Sequence, residues 1–242
     1  MALEYSDYVY GSLSLFTVLI AFIVGLGIII KYLRYGEKTF LFIGISVIGF
    51  YMPWWPSSIA FMWASLTGQG IPTPSYFLIG NLLIPLFVTL WMYVVSDLLE
   101  LDGRYALPFI YLIITVAIAF YTAYWIFSDY TQIGTVSGFF DANYSLFITG
   151  YLIFICLSVV ITGILISKES FGSEYREVRV KGKLLLIGFL CYFLGAIFDA
   201  GATISTTVLI LSRTILSLGA VMFYLGFLLP NKIKELFNLN EE

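Results

Sequence analysis

Runs of about twenty apolar residues recur along this chain between short polar breaks, and a run of that length is what one helix needs to cross the hydrocarbon of a bilayer. Seven such runs are read, at roughly 10–31, 39–63, 75–97, 106–127, 145–167, 184–205 and 208–229. Polar segments divide them: Lys31 to Lys38, Gly68-Gln69-Gly70-Ile71-Pro72, Asp97 to Arg104, Ser128 to Asn143 and Lys168 to Lys183. Between the sixth and seventh runs stand only Thr203-Ile204-Ser205-Thr206-Thr207, a string of small polar residues suited to a tight hairpin. Only 11% of the 242 residues are charged, against roughly 25% in soluble domains. The apolar runs consume nearly the whole length, so no separate soluble domain is expected. In lipid each backbone polar group must be satisfied within its own segment, so runs of this length become helices. The expected fold is an all-α integral membrane protein, one seven-transmembrane-helix bundle over 1–242, with 230–242 as a short cytoplasmic tail.

The basic residues set the expected orientation. Lys31, Arg34, Lys38, Arg104, Lys168, Arg176, Arg179, Lys181, Lys183, Lys232 and Lys234 all fall on one side of the seven spans, and the other side carries Glu4, Asp7, Asp129 and Asp141. Basic loops stay cytoplasmic, so the chain is read as N-out/C-in in the cell membrane. Residues 1–10 hold no basic residue; they lack the positive start of a signal peptide, and the first run is expected to be retained as a helix. Trp54, Trp55, Trp63, Tyr121, Tyr124 and Trp125 lie toward the outer interface, where aromatic rings prefer to sit.

Several chemistries are excluded or unsupported. The chain has no histidine, which removes histidine-bound zinc, bis-histidine haem and a Ser-His-Asp triad. Cys156 and Cys191 lie inside apolar runs and read as small core residues. No carboxylate dyad, activated nucleophile, phosphate loop or metal-ligand set is found. The expectation is a non-enzyme without a metal or cofactor and without a nucleic-acid partner.

Helix faces that point inward in a membrane bundle are marked by small and polar side chains. The sixth span has Gly188, Cys191, Tyr192, Gly195, Asp199 and Ala202 at three- and four-residue steps. The seventh has Arg213, Ser217, Ala220 and Tyr224, and the third has Asn81, Pro85, Thr89 and Ser96. Asp199 and Arg213 lie on an antiparallel pair of helices at similar depth, and a charge at mid-bilayer costs about 3 kcal/mol unless paired. Three readings stay open: a salt bridge locking helix six to helix seven, a polar pocket open to the outside that meets a ligand, and Arg213 snorkelling to the surface. Asn81 reaches a comparable depth and is expected to join the pair. Trp54, Trp55, Tyr192 and Ser217 are the candidate pocket wall. Pro53-Trp54-Trp55-Pro56-Ser57 places two indoles between two kinks, a hinge or cavity wall as much as an interface anchor.

The seven-helix N-out plan resembles microbial rhodopsins, whose retinal requires a lysine in the middle of the seventh helix. Here that span offers Arg213, Ser217 and Tyr224, so no retinal is expected. In length and helix count the chain also resembles SWEET-type transporters, but its intramembrane prolines all fall in spans two to four, without the matched repeat that such a fold implies. The exit Gly226-Phe227-Leu228-Leu229-Pro230-Asn231-Lys232-Ile233-Lys234 is similar to that of prokaryotic seven-helix sensor modules, and the whole plan to uncharacterised archaeal seven-helix membrane proteins. That resemblance implies a receptor or sensor scaffold with an outer-half polar pocket for a small molecule and a separate cytoplasmic protein partner at 168–183. The basic run within that loop would also meet anionic membrane lipid. The alternatives are a small-solute or ion transporter or channel, and an accessory subunit of a larger membrane complex.

Overall fold

A computed structural model describes residues 3–200, 205–237 and 239; the expected Thr203-Ile204 part of the last hairpin turn lies outside them. The chain forms ten α-helices among those residues: α1 (Tyr5–Tyr35), α2 (Lys38–Phe50), α3 (Trp55–Thr67), α4 (Thr73–Asn81), α5 (Ile84–Leu98), α6 (Ala106–Ser128), α7 (Leu146–Phe171), α8 (Arg176–Asp199), α9 (Thr206–Leu228) and α10 (Asn231–Leu236). A hairpin of β1 (Gly134–Ser137) and β2 (Asp141–Tyr144), paired antiparallel, lies between α6 and α7. Six helical segments are long and apolar enough to cross a membrane; α2 and α3, bent by 40° at their junction, would together make one more. The protein is thus a membrane-embedded all-α bundle with several spans.

Helix α8 packs on α7 and α9, α9 on α1, α1 on α2 and α3, α2 on α5, and α5 on α6 and α7, which closes a ring. Its centre holds Phe50, Trp91, Phe189, Tyr192 and Phe223, with ring centroids 4.7–6.1 Å apart along the chain of contacts. A second apolar cluster of Ala60, Ala64, Tyr76, Phe77, Ile126, Ile133, Phe140 and Ile148 sits under the β-hairpin. The two ends of the bundle are therefore distinct: a hairpin end, and a basic end where α1 and α9 finish and α8 begins.

Helices α1 and α2 touch backbone to backbone. A Cβ on Gly25 would stand 2.7 Å from the Gly44 carbonyl oxygen, and one on Gly44 would stand 2.6 Å from that of Gly25. Neither carbonyl can rotate aside, so only glycine fits at this crossing. Helix α1 stops where Gly36 takes φ 76°, a left-handed conformation that glycine adopts without a side-chain clash.

The second and third apolar runs do not form continuous helices. Pro53 and Pro56 cannot donate backbone hydrogen bonds, and a 3-10 turn at Met52–Trp54 replaces the α-helix there. Trp54 N–H donates to the Tyr51 carbonyl at 3.1 Å, which leaves the Phe50 carbonyl without its α-helical partner. The Tyr192 hydroxyl donates to it at 3.0 Å. Leu82 and Leu83 break the third span ahead of Pro85. Helix α8 starts at Arg176, earlier than the apolar run, and its charged first turns are held by Glu177, which pairs with Lys181 at 2.7 Å and with Lys234 of α10 at 2.6 Å. It ends at Asp199, before the expected 205.

Candidate functional site

Asp199 is the last residue of α8, where its charge adds to the negative end of the helix dipole and needs compensation. Arg213 supplies it from the second turn of α9, with Nη1 2.9 Å from Asp199 Oδ1. The two sides of the pair are unequally enclosed: the Arg213 side chain is 1% exposed and that of Asp199 18%. The contact is an ion pair without hydrogen-bond alignment, because Arg213 Nε and Nη1 both lack a hydrogen-bond partner. Aromatic faces hold the guanidinium instead. It lies 5.7 Å from the Tyr10 ring centroid and 5.6 Å from that of Trp54, within range of a cation–π attraction. The same Trp54 donates its indole N–H to Asp199 Oδ2 at 2.5 Å. The Ser212 hydroxyl donates to the Gly195 carbonyl at 3.1 Å and stands 3.5 Å from Asp199 Oδ1.

Below the pair, hydroxyls tie α9 to the broken span and to α1. Tyr51 donates to the Leu216 carbonyl at 2.8 Å, Thr17 donates to the Arg213 carbonyl at 3.3 Å, and Thr17 and Ser217 share a hydrogen bond of 3.1 Å. Above it lies the hairpin. The Phe140 carbonyl accepts from Tyr76 at 2.7 Å and from Ser57 at 3.0 Å, and the Phe140 ring stacks on Tyr10 at 6.0 Å. Tyr10 thus touches the hairpin on one side and Arg213 on the other. On the hairpin, burial pushes the Tyr144 phenol up to about 12, so it stays neutral at physiological pH.

Of the residues singled out from sequence, Asp199, Arg213, Trp54, Tyr192 and Ser217 come together here. Two do not. Asn81 donates its amide to the Phe77 carbonyl at 2.8 Å and faces Thr122 and Ile126 of α6, with its own carbonyl unpaired; the break after α4 turns it away from the ion pair. Trp55 points to Phe22 and Phe87, at 5.1 and 5.9 Å, on the far side of the kink. Tyr10, Tyr51, Thr17 and Ser212 were not anticipated. Tyr51 sits just ahead of Pro53, where a kink exposes hydrogen-bonding groups, and that adjacency was the available signal.

A cleft of about 500 Å³ opens at the basic end, bounded by residues of α2, α5, α7, α8 and α9. Phe40, Ile43, Leu98, Ile166, Leu185 and Phe227 give it apolar walls, and Glu37, Asp97, Glu169 and Lys181 stand around it. Asp97 is held by Arg104 at 2.9 Å and by the Thr39 hydroxyl at 2.7 Å. Among the described residues no cluster of His, Cys, Asp or Glu could hold a metal ion.

Fold and site define a class: a multi-span helical membrane protein with a buried ion pair at one end and a cleft at the other. No protein-family model, curated protein or solved structure matches the chain.

Proposed function

We propose that this protein is a non-enzymatic receptor of the sensor type, seven spans deep in the cell membrane, with its hairpin end outside and its basic end in the cytoplasm. The bent pair α2–α3 serves as the second span, and the one-sided placement of lysine and arginine supports the orientation. One observation carries the functional reading: the same two helices bear the ion pair and wall the cleft. Asp199 and Leu185 are both on α8, and Arg213 and Phe227 both on α9. Fourteen residues of helix separate each couple, roughly 21 Å at 1.5 Å per residue. Glycines bring these helices close enough to move as one body; a Cβ on Gly219 would stand 3.2 Å from the Gly188 carbonyl. A ligand that loosens the pair would shift α8 and α9 at the far end and reshape the cleft where a cytoplasmic partner docks.

The test replaces Cys156 and Cys191 by alanine, places a cysteine at Ser170 in the cleft, and follows its labelling by a membrane-impermeant maleimide in inside-out vesicles. Asp199→Asn or Arg213→Gln should change the labelling rate severalfold. Equal rates in all three proteins would sink the coupling.

A transporter is the second reading. It is favoured by two interrupted helices and by the cleft at the basic end, features that transporters with broken helices share. Solute flux through reconstituted vesicles separates the two readings.

A further inference from the structure

We infer that the hairpin-end site takes an organic cation, an ammonium or guanidinium group, which competes with Arg213 for Asp199. The inference rests on the receptor reading and names its ligand class. Access favours Asp199. At 18% exposure against 1%, Asp199 is the member of the pair that an incoming group meets, and its charge calls for a cation.

The surrounding field points the same way. Residues 3–10, 129–145 and 205–206 include Glu4, Asp7, Asp129 and Asp141 and no lysine or arginine. Hydrogen bonds from Thr131 and Gln132 hold the Asp129 carboxyl below its usual range, which keeps it charged. Such a rim concentrates cations and repels anions.

Coordination chemistry separates organic cations from calcium. Calcium wants six to eight oxygen ligands, and no acidic cluster suited to a metal occurs among the described residues. The site offers one carboxylate beside the faces of Tyr10 and Trp54, the chemistry that receives ammonium and guanidinium groups.

Ease of exchange adds to this. Arg213 reaches Asp199 through a single contact without hydrogen-bond alignment, and its Nε and Nη1 have no hydrogen-bond partner. A bidentate fork would resist displacement; this pair does not have one. When another cation takes Asp199 and shares an aromatic face, Arg213 keeps the other, and the tie between the ends of α8 and α9 is lost without expelling the guanidinium from the bundle.

The experiment uses the full chain in nanodiscs, with tryptophan fluorescence and thermal unfolding as readouts. The probes are choline and agmatine, with acetate and succinate as anions. A cation should bind saturably and at least tenfold tighter than either anion. Asp199→Asn should weaken it tenfold or more, and Asp199→Glu should retain most of it. Because Asp199→Asn removes a buried charge partner, a second variant lies away from the pair, at the start of α1 and the end of α6: Glu4→Gln with Asp7→Asn and Asp129→Asn. It should slow cation association severalfold at low salt, with the difference vanishing near 0.5 M, where screening is complete within about 5 Å.

Absence of cation binding, preference for the anions, or equal affinity in Asp199→Asn would overturn the assignment. Cation binding that leaves labelling at the Ser170 position unchanged would keep the ligand class and remove the receptor reading. Labelling that responds to Asp199→Asn without any cation binding would do the reverse.

Discussion

Neutralising Asp199 leaves Arg213 at 1% exposure with no carboxylate beside it. Breaking a buried pair in this way costs about 3–5 kcal/mol. Two cation–π contacts remain, each about 1 kcal/mol or more when desolvated, so Asp199→Asn should fall near the lower bound, about 3 kcal/mol. Arg213→Gln acts differently. It strands a carboxylate that is partly solvated and still accepts the Trp54 N–H, at a cost of about 1–2 kcal/mol, and forfeits both aromatic contacts, about 2 kcal/mol together, for a total of about 3–4 kcal/mol. The double mutant retains neither charge. It should lose about 3–4 kcal/mol rather than the additive 6–7, a coupling of about 3 kcal/mol. At roughly 2–4 °C per kcal/mol for a chain of this size, each variant should melt about 6–16 °C below the parent in detergent, the double mutant included. A double mutant that melts at the sum of the two single shifts would show that the 2.9 Å contact carries no coupling energy. The guanidinium would then be held by Tyr10 and Trp54 alone.

Cysteines placed at Asp141 and Gly172 should label from opposite faces of sealed cells, Asp141 from outside; labelling of both from one face would refute the proposed topology. Gly44→Ala should lower stability by about 1–3 kcal/mol, because its Cβ meets the Gly25 carbonyl, whereas Gly150→Ala, with nothing within 4 Å, should be neutral in the same thermal assay. The lowered Asp129 carboxyl supports its turn above the ordinary carboxylate range and releases it as pH falls through the native value. Amide exchange at Thr131 should therefore rise more steeply under acid in the parent than in Asp129→Asn.

Hydropathy reports where lipid begins, which is a different boundary from where a helix begins. The apolar run from 184 located the membrane part of α8 but could not see that Arg176 to Lys183 continue the same helix, since Glu177 stabilises those turns through lysines at 181 and 234. At 39–63 and 75–97 apolar composition runs unbroken across the interruptions at Met52–Trp54 and at Leu82–Leu83; the prolines at 53, 56 and 85 were the signal that marked them. Asp199 and Arg213 were legible because ionised groups are rare in lipid and the connection between their helices is short. Asn81 was misplaced because depth alone says nothing about azimuth, and the break that turns it toward α6 was not foreseen. The hairpin rests on Phe140, whose place against Tyr10, Ser57 and Tyr76 depends on contacts more than sixty residues apart, beyond what local pattern can show.

The break between α2 and α3 has a consequence for biogenesis. When residues 38–67 leave the translocon, the carbonyl of Phe50 has no partner within its own segment, and hydrocarbon offers none. Its donor, the Tyr192 hydroxyl, is 142 residues away and emerges only with α8. Asp199, which accepts from the Trp54 indole, arrives later still. The early helices must therefore wait through most of those 142 residues of synthesis, beside the translocon, an insertase or a lipid headgroup that lends a hydrogen bond. A chain released after α6 would keep that need permanently, and quality-control proteases that survey the bilayer for exposed polar groups would find it there.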